Sequence, residues 1–185
     1  MSKAPARSVF VIMLRAIGPA THPIMSMQQW RDAAEADGFG TPVTYVATGN
    51  MIAEAEDTTS GVARRMNRIV QDLGLSPSNL AVVRKPRQLR ALLKANPFPE
   101  AVEKRPSQVG VYFFAGRRPD FAWVADHEGP EQVHVEGTHL IVDYGERTGG
   151  SVKLAGLIEK RSGPVTARNW NTLVGLAERA SAREH

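Results

Sequence analysis

Apolar residues along this chain keep two rhythms, and polar punctuation marks where one gives way to the other. Val9–Leu14 is an unbroken apolar run with β-branched members, which predicts a central strand buried on both faces. Ser26-Met27-Gln28-Gln29 has the form of a capping box, so a helix starts there. Met27, Trp30 and Ala34 share one face of it, and Gly38 ends it. Val43–Ala47 predicts a second strand, Thr48-Gly49-Asn50 a tight turn, and Met51–Ala55 a third strand. Thr58–Ser60 cap a helix with Val62, Met66, Ile69, Val70 and Leu73 at helical spacing, stopped at Gly74. Leu80–Val83 is a fourth strand. Pro86–Ala95 is a short connecting helix, broken by Asn96-Pro97-Phe98-Pro99.

The same order of elements then returns. Val109–Ala115 predicts a strand and Pro119–His127 a short helix. Gln132–Glu136 and His139–Asp143 form a hairpin about Gly137-Thr138, Val152–Arg161 a helix, and Val165–Ala167 a last strand. Trp170–Arg183 is a closing helix with Leu173, Leu176, Ala177 and Ala180 on one side. Each half reads β-α-β-β-α-β, the split unit of ferredoxin-like folds. The expectation is an α+β chain of two tandem ferredoxin-like halves, residues 8–95 and 107–183, with a linker at 96–107. In such a unit the first two strands run parallel with the third antiparallel between them. Arg15 then falls at the same sheet edge as Thr48-Gly49-Asn50.

Composition narrows the class. A length of 185 residues with 42% hydrophobic positions supports one large domain or two small ones. No run is long enough for a transmembrane helix or a signal core, so no membrane partner is expected; Met1–Arg7 reads as a flexible tail. Zero cysteines exclude disulfides, thiolate catalysis and Cys-type zinc sites, and fit a cytoplasmic protein.

The net charge of +4 hides a segregation. Residues 58–118 hold twelve Lys/Arg against three Asp/Glu, and residues 119–146 hold seven Asp/Glu and no Lys/Arg. Arg64, Arg65, Arg68, Arg84, Lys85, Arg87, Arg90 and Lys94 are the cations a nucleic acid would use. Tyr112, Phe113 and Phe114 lack the surrounding consensus of an RNA-binding strand and read more simply as core.

Candidate chemistry gathers in two places. Val165-Thr166-Ala167-Arg168-Asn169-Trp170-Asn171-Thr172 joins a strand to a helix through a cation, two amides and an indole. Either Asn169 or Asn171 caps that helix, or Arg168, Asn169 and Asn171 present donors to an anion. Arg15 with Thr48, Gly49 and Asn50 is the second anion-binding candidate. There Gly49 either answers a turn's backbone demand or lets main chain approach a ligand. In the hairpin, His134, Glu136, His139 and Asp143 share one face, a potential zinc or manganese set or a solvent-facing ion-pair surface. No ligand spacing diagnostic of a metal is present, so no metal or cofactor is assigned. No nucleophile elbow, Walker loop or dinucleotide glycine pattern occurs.

Leu14-Arg15-Ala16-Ile17, Thr44-Tyr45-Val46-Ala47-Thr48-Gly49-Asn50, Asn96-Pro97-Phe98-Pro99 and Thr166-Ala167-Arg168-Asn169-Trp170-Asn171-Thr172 together resemble the domain-of-unknown-function 1697 family. The resemblance runs from about Val9 to Ala180. The family's usual opening is Leu-Arg-Gly-Ile-Asn-Val-Gly-Gly; here Ala16 replaces the first Gly, Gly18 the Asn, and Pro19-Ala20-Thr21 the rest. The resemblance implies a compact bacterial cytoplasmic α+β protein and brings no reaction with it. The functional expectation is a binding protein for a phosphate- or carboxylate-bearing ligand. The alternatives are an enzyme acting on such a molecule and a nucleic-acid-binding module.

Overall fold

The computed structural model describes residues 5–146 and 152–184. They form an α+β structure with two four-stranded antiparallel sheets and six α-helices among the described residues. Two compact units divide them. One comprises the residues through Leu89 together with those from Leu176 onward, and the other is Arg90–Gly175.

The first sheet is built from β1 (Ser8–Leu14), β2 (Gly40–Thr44), β3 (Asn50–Ala55) and β4 (Ala81–Arg84), in the order β2-β3-β1-β4. β3 lies antiparallel to both β1 and β2, so those two are parallel with β3 between them. β1 is buried at every position from Val9 to Leu14, as its unbroken apolar run requires. Phe10, Ile12 and Leu14 pack with Met51, Ala53, Ala81 and Val83 against the helices α1 (Met27–Ala36) and α2 (Thr59–Asp72). α1 starts on the expected capping box, Ser26 accepting from the Gln29 amide while Gln29 accepts from the Ser26 amide. Thr58 caps α2 through Gly61. The α2 stripe Val62, Met66, Ile69 and Val70 is buried as its spacing predicts.

The second sheet holds β5 (Val109–Phe114), β6 (Gln132–Glu136), β7 (His139–Asp143) and β8 (Val165–Asn169), in the order β6-β7-β5-β8. Tyr112, Phe114, Leu140, Val142 and Val165 pack with Leu154 and Ile158 of α5 (Val152–Ser162). The hairpin register pairs Glu136 with His139 and His134 with Ile141, which places the two faces as the alternation predicts. α3 is Pro86–Ala95 and α6 is Trp170–Ser181.

Four local expectations shift. The second strand ends at Thr44, not Ala47, because Val46 turns into the left-handed region at φ 48°. The Tyr45 amide still donates to the Asn50 carbonyl at 3.0 Å, so the connection is a four-residue loop rather than a tight turn. The linker at 96–107 is not irregular: Pro99 starts α4 (Pro99–Lys104), and Pro106–Gln108 forms a 3-10 turn. The helix expected at Pro119–His127 is a 3-10 segment, Ala122–Asp126. Arg7 is not loose tail, since it pairs with Glu54; Met1–Ala4 lie outside the described residues.

Candidate functional site

Antiparallel pairing brings the end of β1 beside the β2–β3 loop. The Leu14 amide donates to the Gly49 carbonyl at 2.8 Å, and Met13 pairs with Asn50. The neighbouring Arg15 side chain turns the other way, donating to the Ser78 carbonyl at 3.2 Å. Asn50 is fully buried, and its amide donates to the Tyr45 carbonyl and the Thr48 hydroxyl at 3.1 and 3.0 Å. These bonds brace the loop from inside. The space that the absent Cβ of Gly49 leaves is filled by Ile17 and Leu14. Ala16, where the family's usual opening carries glycine, sits at φ 59°. His22 reaches across to the Ala47 carbonyl at 2.9 Å and ties the loop after β1 to the loop after β2.

Arg168 stands at the end of β8 and is 8% exposed. Its Nη1 donates to the Thr166 hydroxyl at 2.7 Å and the Ala167 carbonyl at 2.8 Å. Burial pushes the guanidinium down to about 10, since a charge withdrawn from water favours its neutral form. Asn169 accepts from the Thr172 amide at 2.9 Å, which makes it the cap of α6. Asn171 is exposed in the first turn. Strand alternation separates the partners: Arg168 points to the buried side, Asn169 to the exposed one.

The basic stretch is spread over several environments. Arg65 pairs with Asp37 and Asp57 and lies over the Phe39 ring, and Arg68 pairs with Asp37. Arg84 is half-buried, and burial pushes its guanidinium down to about 10. Arg64, Arg90 and Lys94 are exposed. Lys85 and Arg87 have a different setting, a cleft of about 450 Å³ lined by Arg7, Ser8, Val9, Glu54, Lys85, Arg87, Arg183 and Glu184.

Each wall of this cleft has a local cause. Arg7 precedes β1, and the pairing of β1 with β3 brings it to Glu54 at 3.2 Å. Arg183 pairs with the same carboxylate at 3.0 Å and donates to the Ile52 and Gly40 carbonyls. These two guanidinium groups hold the Glu54 carboxyl below the usual carboxylate range, Arg183 contributing most. Lys85 follows β4 and rests its ammonium 3.8 Å from the centre of the Phe10 ring. Partial burial lowers its pKa; the nearby Arg87 charge lowers it further, and Glu184 opposes them. Sequence reading missed Arg7, Glu54, Arg183 and Glu184 here. A charge opposite a strand-end Arg was the one available signal, and nothing local links residue 183 to residue 54.

The hairpin face disperses its four polar residues. His134 pairs with Glu136 at 3.0 Å, His139 stacks edge-on against Phe113, and Asp143 is held by Arg105. Among the described residues no group of three His, Asp or Glu is placed to hold a metal ion. In the same unit His127 stands 3.4 Å from the buried Glu131 carboxylate. No helix among the described residues is long and apolar enough to cross a membrane.

Two antiparallel four-stranded sheets with their helices, and an ion-paired cleft at the edge of the first, define an α+β protein. The chain belongs to the family described as "Protein of unknown function (DUF1697)", whose model matches residues 8–140. That match takes in the Leu14–Ile17, Thr44–Asn50 and Asn96–Pro99 motifs and stops short of the Thr166–Thr172 stretch. No curated protein matches the chain. Among solved structures it is similar to conserved bacterial protein SP0830 from Streptococcus pneumoniae. The TM-score is 0.72 at 15% identity, covering 95% of this chain and 99% of that one. At that identity the likeness speaks for the fold alone.

Proposed function

We propose that this protein binds an anionic, phosphate- or carboxylate-bearing ligand in the cleft at the edge of the first sheet. One observation carries the reading: four cations, Arg7, Lys85, Arg87 and Arg183, meet only two carboxylates, Glu54 and Glu184, around one concavity. Holding like charges together in a partly dry site is costly, and the lowered pKa of Lys85 reflects that cost. An anion entering the cleft relieves it. Arg offers a rigid fork and Lys a mobile point charge, a combination suited to oxyanions. The Asn50 and Asn169 amides are engaged in a loop brace and a helix cap, so Arg15–Asn50 and Arg168–Asn169 rank behind the cleft as ligand contacts.

The strand orders β2-β3-β1-β4 and β6-β7-β5-β8 support reading each sheet as a ferredoxin-like half. A cytoplasmic setting suits the cysteine-free chain. A nucleic-acid role draws less support, because Arg65 and Arg68 are tied to Asp37 and Arg84 is half-buried.

The test is a thermal-shift and calorimetric screen of small phosphates and carboxylates against wild type and Lys85→Gln/Arg87→Gln. A ligand at a hundred times its Kd adds ~2.7 kcal/mol to the folded state. The expected result is stabilisation of the wild type and none of the double variant. Stabilisation of both alike would move the site elsewhere. Stabilisation by oligonucleotides alone, lost steeply with salt, would favour the nucleic-acid reading.

A further inference from the structure

The charge inventory of the cleft narrows the ligand, and this step rests on the anion-binding reading above. Glu54 is shared between Arg7 and Arg183, and Arg183 is further fixed by the Ile52 and Gly40 carbonyls. That wall is braced internally by its ion pairs. The opposite wall is not. Neither Lys85 nor Arg87 forms a salt bridge among the described residues, and Lys85 is held in place over the Phe10 ring. Glu184 is the remaining carboxylate of the cleft. Counted together, four cations and two carboxylates leave a surplus of two positive charges.

We infer that the cleft selects a dianionic phosphate monoester, with Lys85 and Arg87 gripping the phosphate and the surplus of two positive charges favouring the double charge. A dianion neutralises the surplus. A monoanion of the same shape gains half the attraction and meets half the repulsion, so it recovers half the net stabilisation of the dianion. The phosphate also offers three acceptor oxygens to the lysine ammonium and the guanidinium fork. Glu184 trims this surplus: its negative charge lowers affinity for every anion in proportion to the charge the anion carries.

Phenyl phosphate and phenyl sulfate test this directly, because they share a shape and differ by about one charge at about pH 7.5. Isothermal titration of the full chain should give roughly tenfold tighter binding of the phosphate ester, equivalent to about 1.4 kcal/mol. The advantage should collapse as the pH falls below about 6, where the phosphate becomes a monoanion. Glu184→Gln should tighten both esters, phenyl phosphate more than phenyl sulfate, and so widen the gap between them. Lys85→Gln should weaken phenyl phosphate more than phenyl sulfate. Equal affinities for the two esters, both lost in Lys85→Gln, would overturn the dianion inference and leave the cleft as an anion site. Failure of both esters and of inorganic phosphate to bind folded wild type would overturn the inference together with the reading beneath it.

Discussion

Gly49→Ala puts the geometry of the β2–β3 loop to a quantitative test. Gly49 has φ 84°, a region where an L side chain costs about 1–2 kcal/mol. A Cβ there would stand 2.7 Å from Ile17 Cγ1, and 3.1 Å from both Ile17 Cβ and Leu14 Cβ. Leu14 is fully buried, and its amide holds the Gly49 carbonyl at 2.8 Å, so neither side can retreat without breaking that bond. Forcing a methyl group into such a packed site costs about 1–3 kcal/mol. The smaller entropy of an unfolded alanine returns about 0.4–1 kcal/mol. The net expectation is a loss of ~2–4 kcal/mol, read as a lower urea midpoint at unchanged slope. The two contributions separate in a double-mutant cycle. Ile17→Ala removes the nearest clash and leaves the backbone penalty, so Gly49→Ala should cost ~1–2 kcal/mol less in that background. A cost below about 1 kcal/mol, or the same cost in both backgrounds, would refute the close approach of Ile17. The glycine would then answer a backbone demand alone.

Two further outcomes can be checked on the same material. Ala16→Gly should stabilise by ~0.5–1 kcal/mol, because relief of the left-handed alanine at φ 59° exceeds the added entropy of glycine; a lower urea midpoint would count against it. Tyr112, pushed up to about 12 by burial and then by the charge of Glu131, stays neutral in the folded state beyond its ordinary range. Its contribution to stability is complete below about pH 10 and is lost as the pH rises towards 12, so Tyr112→Phe should flatten the alkaline limb. The measurement is phenolate absorbance followed beside unfolding, and a phenol titrating near its ordinary value would contradict the burial.

Local sequence determined most of the elements. The capping box at Ser26, the stripe of α2 and the hairpin Gln132–Asp143 all appear where spacing placed them. Helix periodicity, strand alternation and caps are written within a few residues, and tertiary packing here agrees with them. Even the parallel relation of β1 and β2 followed from element order.

What only the tertiary structure decided is where the polar groups go. The Arg168 stretch reads either as a helix cap or as a donor cluster; strand alternation buries the cation and leaves Asn169 outside as the cap. Val46, apolar and β-branched, reads as strand; the four-residue loop between the Tyr45 and Asn50 pairing points overrides that propensity. The cleft is the clearest case. Arg7 and Arg183 meet on one carboxylate, Glu54, although 47 and 129 residues separate them from it. No periodicity encodes such a meeting. It exists because antiparallel pairing brings Arg7 to Glu54, and the last residues of the chain lie against that same edge. Composition could count the cations between residues 58 and 118, but only folding determined which were neutralised and which were left facing a concave space.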